Sequence, residues 1–156
     1  MPSFATKRNA GFTAAQMYGV VADIERYPEF LPLCTGLRVL SRSGRNEAGG
    51  EELTARMSIG YKTIAESFTT RVVLKPDEPA IDVSYLDGPF KRLINHWKFH
   101  DLGAARCEID FYIDYEFRST LLAVLMGSMF EQAFRKFSQS FEDRAAKIYG
   151  RGTSGA

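Results

Sequence analysis

Residues 119–149 read STLLAVLMGSMFEQAFRKFSQSFEDRAAKIY, and their periodicity decides the architecture. Leu122, Met126, Phe130, Ala133, Phe134, Phe137, Phe141, Ala145 and Ile148 recur at steps of three and four, one stripe of a 3.6-residue helix. Glu131, Arg135, Gln139 and Glu142 fall on the opposite side. Ser119 or Thr120 can cap the start, and Gly150 with Gly152 can end it. About thirty residues at 1.5 Å each make a rod of roughly 45 Å. A stripe so rich in Phe and Met needs a broad apolar cover, and the preceding residues offer only a sheet to provide it.

Outward from that helix, the period changes to two. Cys107, Ile109, Phe111, Ile113, Tyr115 and Phe117 alternate with Glu108, Asp110, Asp114 and Glu116, the pattern of a strand buried on one face and wet on the other. Leu93, Asn95, Trp97 and Phe99 oppose His96, Lys98 and His100 in the same way. Ile81, Val83 and Tyr85 mark an earlier strand; Ile64, Phe68, Val72 and Leu74 another; Leu53, Ala55, Met57 and Ile59 a third. Residues 37–42 and 3–12 are further strands. Polar or glycine-containing breaks at 43–50, Gly60, 76–79, 87–89 and 101–104 separate them. Between the first two strands, Thr13 with Gln16 forms a capping box for a short helix carrying Met17, Val20, Val21 and Ile24 that stops before Pro28. Residues 27–34, aromatic and broken by Pro28 and Pro32, form a helical turn wedged against the core.

Strand, two short helices, a run of strands and a long terminal helix make an α+β order. A strongly twisted antiparallel sheet of about seven strands curls, and a long helix lies in its concave side, a helix-grip shape. Residues 1–150 read as a single domain and 151–156 as a flexible tail.

Composition narrows the function. The 156 residues suffice for one sizeable core. A net charge of +1 exerts no overall pull toward nucleic acid, and no DNA partner is expected. Cys34 and Cys107, with no CxxC, read as reduced buried thiols in a reducing compartment, the cytoplasm. No apolar signal segment opens the chain, and its longest apolar stretch, 121–130, is too short to cross a bilayer. A soluble protein is expected.

Catalytic patterns are missing. His96 and His100, four residues apart on one strand, lie roughly 13 Å apart at about 3.3 Å per residue, too far to share a metal. They read as solvated, and no metal site is expected. Glu108, Asp110, Asp114 and Glu116 lie on the wet face, where nothing shifts their pKa toward acid–base work. Glu66, on the Ile64 and Phe68 face, is the one inward carboxylate that could serve an enzyme; its plainer reading is an edge position reaching solvent.

What remains is an apolar concavity. The sheet contributes Met57, Phe68, Tyr85, Trp97, Phe111, Tyr115 and Phe117, and the helix Met126, Phe130, Phe134 and Phe137. Either these interdigitate into a dry core or they line a cavity for an apolar guest. The buried polar atoms of Tyr85, Asn95 and Trp97 need partners, which a guest's carbonyl could supply.

Four segments carry a family resemblance: residues 21–32 (VADIERYPEFLP) with Cys34, 85–90 (YLDGPF), 95–99 (NHWKF) and 114–119 (DYEFRS). In this order they resemble the coenzyme Q-binding, START-like family. That family includes ribosome-association toxins, and its wider superfamily includes aromatic polyketide cyclases. The resemblance implies a helix-grip fold whose cavity takes a hydrophobic ligand, typically a polyprenylated quinone, carried without a bond-making residue or cofactor. The ligand-binding candidates are then Tyr27, Phe30, Leu31, Met57, Phe68, Tyr85, Asn95, Trp97, Phe111, Phe117, Met126, Phe130 and Phe134. Many relatives carry an aromatic residue before the cysteine; here it is Leu33.

The leading expectation is a ubiquinone carrier or chaperone supporting respiration. The alternative is a protein acting on the large ribosomal subunit through Arg38, Arg42 and Arg45, or through Arg135, Lys136, Arg144 and Lys147 on the terminal helix. A cyclase-like enzyme is the third reading. Leu121, Val124 and Leu125 make the helix start apolar nearly all round. Either this end meets a membrane or another subunit, or the protein's own loops cover it.

Overall fold

A computed structural model of the chain describes residues 3–47, 50–61 and 63–150. The expected tail, and with it Gly152, lies outside the described residues. Seven antiparallel strands form one sheet: β1 (Ser3–Ala10), β2 (Cys34–Arg42), β3 (Glu51–Tyr61), β4 (Ile64–Lys75), β5 (Ala80–Asp87), β6 (Phe90–Gly103) and β7 (Arg106–Phe117). Their order is β1-β7-β6-β5-β4-β3-β2, so β2 to β7 are a meander and β1 closes on β7. Two helices complete the fold, α1 (Ala14–Ala22) and α2 (Thr120–Tyr149), with a 3-10 helix at Ile24–Glu29. This is the helix-grip arrangement.

Local chemistry explains the elements. The Thr13 hydroxyl accepts from the Gln16 backbone N–H at 3.1 Å, and the Gln16 side-chain Oε1 accepts from the Thr13 N–H at 2.9 Å, a complete capping box. Asp101 Oδ1 accepts the Ala14 N–H at 2.8 Å, placing a carboxylate at the positive end of α1. Ser119 caps α2 by accepting from the Leu122 N–H at 3.2 Å, and Gly150 ends it at φ 82°. Gly88 turns the chain between β5 and β6 at φ 143°, where an added Cβ would stand 2.5 Å from the Phe68 Cβ. Only glycine fits there.

Several boundaries differ from the sequence expectation. β1 ends at Ala10, because Phe12 turns into the core ahead of the Thr13 cap. β2 begins at Cys34 rather than 37, and the helical turn lies earlier, with Pro28 inside the 3-10 helix. Gly60 makes neither turn nor bulge; it pairs with Ala65 inside the β3–β4 ladder. Its role is close approach: an added Cβ would sit 3.1 Å from Thr35 Cγ2, and its N–H donates to the Leu33 carbonyl at 3.0 Å. The expected break at 101–104 moves to Ala104 and Ala105, both at positive φ, because β6 continues to Gly103.

The helical stripe is buried at Met126, Phe130, Ala133, Phe134, Phe141 and Ala145. Ile148 is exposed, one turn past the last residue that the core covers. The opposite face is not wholly solvated: Glu142 accepts from Arg8 of β1 at 2.7 Å and Gln139 accepts from the same guanidinium. This contact ties α2 to the β1 edge. The helix approaches β7, β1 and α1 closely, while its approach to β3, β4 and β5 is at most glancing. A curved sheet gripped along one half leaves space over the other half.

Candidate functional site

That space is a cavity of about 120 Å³. A single water needs about 10–15 Å³ by this measure, so the space takes several. Strand register forms its wall. On the concave face Leu37 pairs with Met57 and Met57 with Phe68; Ala55 pairs with Thr70; Val72 pairs with Val83, and Val83 with Asn95. All of these residues line the cavity, with Trp97, Phe111 and Ile113 behind them. From α2 come Phe130, Ala133, Phe134, Phe137 and Phe141, and from the N-terminal turn Ile24, Tyr27, Leu31, Pro32, Leu33 and Cys34. Half-buried Leu33, Leu37, Met57, Phe68 and Phe137 mark the mouth.

Aromatic clusters close both ends. At one, Phe90 stacks on Phe117 at 4.9 Å and meets Phe68, Tyr85, Tyr115 and Phe130. At the other, Phe141 contacts Tyr27, Phe30 and Trp97 at 5.2–5.4 Å. Offset and edge-on rings fill a core without leaving gaps, so the void lies between the clusters. Leu33 enters the wall at φ 68°, a conformation that costs a non-glycine residue free energy and is concentrated at functional sites.

Nine of the expected ligand-binding residues meet in this wall: Tyr27, Leu31, Met57, Phe68, Asn95, Trp97, Phe111, Phe130 and Phe134. Four stand outside it. Phe30 packs on Phe141 beneath the Arg144 guanidinium, 5.2 Å from its ring centre. Tyr85 turns its hydroxyl to accept the Phe90 N–H at 3.0 Å. Phe117 and Met126 are consumed in the closing cluster and the core. The polar atoms expected to await a guest are also partnered. Asn95 Nδ2 donates to the Tyr112 carbonyl at 2.9 Å, and Trp97 Nε1 donates to Asn95 Oδ1 at 3.0 Å.

The residues that create the room are not among the sequence candidates. Ala55 and Ala133 are small side chains on an otherwise large inward pattern, and that contrast was visible. Thr70 shares the parity of Phe68 and Val72 and was equally legible. Leu33 carried no periodic signal because it precedes β2, and Cys34, paired with Ile59, is set off from the rest of the strand by a register shift before Gly36.

Among the described residues the wall contains no carboxylate, histidine or lysine, and Glu66 is not part of it. Burial pushes the Cys34 thiol up to about 11, keeping it protonated and poorly nucleophilic at neutral pH. Burial likewise raises Tyr27, whose hydroxyl donates to the Val21 carbonyl. On the outer face His96 is not simply solvated: its Nδ1 lies 2.7 Å from Asp82 Oδ1, and its ring stacks on Tyr112. The strand acids face water or cations, as Asp114 and Glu116 do against Arg92 at 3.0 and 2.7 Å.

Residues 11–142 match the family described as polyketide cyclase / dehydrase and lipid transport. The chain belongs to that family. Among its curated members, the ribosome association toxin RatA of Escherichia coli K12 is 36% identical over 149 residues, which are 96% of this chain and 90% of the toxin. The mitochondrial coenzyme Q-binding protein COQ10 of Dictyostelium discoideum is 32% identical over 145 residues, 89% of this chain and 66% of that protein. An 18 kDa protein of Caulobacter crescentus, solved in solution, superposes with a TM-score of 0.77 at 33% identity, covering 97% of this chain and 100% of its own. The family's fold also appears in the ZhuI aromatase/cyclase of Streptomyces sp. R1128, at a TM-score of 0.79 and 14% identity over 94% of each chain.

Proposed function

We propose that the protein binds a hydrophobic small molecule in the cavity beneath α2, a polyprenyl quinone of the ubiquinone type, and carries it without chemical change. The observation that carries this reading is the void itself. A partly open, apolar-walled space of about 120 Å³ gains by exchanging water for an apolar guest. Room for several waters suits one ring rather than a long chain. The ring sits inside, and the isoprenoid tail leaves through the mouth along Leu37, Met57 and Phe68. Each buried CH₂ contributes about 0.8 kcal/mol. The curated relative named as coenzyme Q-binding supports this ligand class, and the wall's lack of an acid or base supports carriage over catalysis. The reading needs no cofactor or metal and places the protein in the cytoplasm at a membrane surface.

A lipid guest must be collected from a bilayer. Leu121, Val124 and Leu125 are 67%, 74% and 49% exposed at the start of α2, which follows the exposed cation Arg118 in the chain. Exposed apolar side chains with a cation close by in the chain suit an anionic bilayer. No described helix is long and apolar enough to cross a membrane, so the contact is peripheral. Leu125→Glu is expected to lower binding to anionic liposomes several-fold in flotation while leaving the melting temperature within a degree or two. Undiminished flotation contradicts this contact.

A second reading, association with the large ribosomal subunit, is favoured by a different observation. Arg38 and Arg56 face each other across β2 and β3 on the outer surface, without an acidic partner among the described residues. Facing like charges are destabilising, and a phosphate backbone would neutralise them. The other arginines named from the sequence are already committed: Arg42 to Glu25 and Glu51, Arg135 to Glu131, Arg144 to Glu29. One experiment tests both readings. Purified protein is extracted for mass spectrometry, and cell extract is sedimented at low and high salt. Co-purifying quinone is the expected result. Quinone-free protein that sediments with large subunits only at low salt would replace the carrier by the ribosomal reading.

A further inference from the structure

The cavity wall spends its hydrogen-bonding atoms on the protein itself, with one exception. Tyr27 donates to Val21, the Cys34 thiol lies 3.5 Å from the Gly36 carbonyl, and Asn95 and Trp97 are tied to Tyr112 and to each other. Thr70 is different. It is only 6% exposed, it lines the cavity, and its hydroxyl has no hydrogen-bond partner among the described residues. A hydroxyl that reaches an apolar cavity without a protein partner is available to bond a guest.

The sheet puts it there by a break in register. Thr69 pairs with Asp87, but Thr70 pairs with Tyr85, so β5 carries one extra residue, Leu86, between them. Bulges of this kind re-aim side chains and gather beside functional sites. Here both Thr69 and Thr70 are buried, while Leu86 is pushed to solvent. On the concave side Thr70 lies between Phe68 at the mouth and Val72 deeper in, opposite Ala55. Ala55 is small enough to leave the hydroxyl facing open space. Two residues along a strand are about 7 Å, so Thr70 sits that far inside the mouth.

We propose that Thr70 is the polar anchor of the guest, hydrogen-bonding a carbonyl or ether oxygen of its ring and so selecting an oxygenated ring over a plain hydrocarbon. The guest enters ring first, with its oxygen at the β4–β5 bulge and its apolar remainder trailing past Phe68 to the mouth. This inference rests on the cavity-binding reading above, and the experiment separates the two.

Thr70→Val removes the hydroxyl and keeps the shape; Thr70→Ser keeps the hydroxyl. The single tryptophan, Trp97, lies in the wall, so quenching of its fluorescence reports ubiquinone-1, a quinone with one isoprene unit. Competition against that quinone reports prenylbenzene, an oxygen-free ring with the same tail. One neutral hydrogen bond corresponds to a change of roughly three- to tenfold. Thr70→Val is expected to weaken ubiquinone-1 by about that factor, to leave prenylbenzene unchanged or slightly tighter, and to be rescued by Thr70→Ser. If the wild type binds ubiquinone-1 and Thr70→Val binds it equally well, the anchor is wrong while the cavity reading stands. Equal weakening of both ligands also overturns the anchor, because it reports a change of shape rather than a lost hydrogen bond. If the wild-type protein binds neither ligand, the cavity reading fails and the anchor fails with it.

Discussion

Ala133→Phe is expected to abolish binding of a short-chain quinone while the protein stays folded. Ala133 is buried in α2 among Phe130, Phe134 and Phe137 and faces the void. A phenyl ring there occupies the space that the guest's ring needs. Affinity should fall roughly 100-fold or more, the equivalent of about 2.7 kcal/mol or some three to four buried CH₂ groups. The helix tolerates the change, since the propensity difference is only about 0.5 kcal/mol. Because the ring enters an existing gap, the overpacking cost of about 1–3 kcal/mol seen in tight cores is reduced. Trp97 quenching and a thermal melt measured together decide the matter. Undiminished quinone binding in a folded Ala133→Phe protein would mean that the guest sits elsewhere.

The second large effect is on stability. Phe90 is fully buried and touches five rings, those of Phe68, Tyr85, Tyr115, Phe117 and Phe130, at centroid distances of 4.9–6.2 Å. It joins β6 to the helix through the cluster that closes one end of the cavity. Phe90→Ala removes those contacts and leaves a hole that a stiff sheet fills poorly. A loss of about 3–5 kcal/mol is expected, or roughly 6–20 °C in melting temperature for a chain of this size. Phe90 is outside the wall, so the folded fraction should bind quinone within a few-fold of the wild type. Denaturant titration with and without ligand separates the two effects. A loss below about 1 kcal/mol would mean that the cluster repacks and is not a rigid end wall. Together the two substitutions distinguish residues that make the room from residues that frame it.

Much of the fold was legible because its signals are periodic. A step of three and four over 119–149 and a step of two in the β strands require only that each element bury one face, and each does. The capping box at Thr13 and Gln16 and the family segments were likewise local in sequence. Boundaries were misread where a tertiary contact overrode a local preference. Gly60 looked like a break, but it is the place where the chain entering β2 crosses close to β3. Asp101 looked like turn material, but it reaches across to the α1 N-terminus and holds β6 extended.

For the site, sequence identified the inward residues without identifying which of them line the cavity. Phe68, Trp97, Phe111 and Phe130 line the cavity, whereas Phe117 and Met126, equally apolar and equally inward, fill the core. Residue type cannot separate these outcomes, because the difference is set by where the rod lies across the sheet. The chain by itself determined that a long amphipathic helix must cover a curved, one-sided sheet, since hydrophobic burial allows no other partner for that stripe. Only the tertiary structure decided that the helix leans on β7 and β1 rather than on β3 to β5. That tilt is set by long-range contacts such as Arg8 with Glu142, 134 residues apart. It leaves a void beside Ala55, Thr70 and Ala133 where a centred helix would have packed solid.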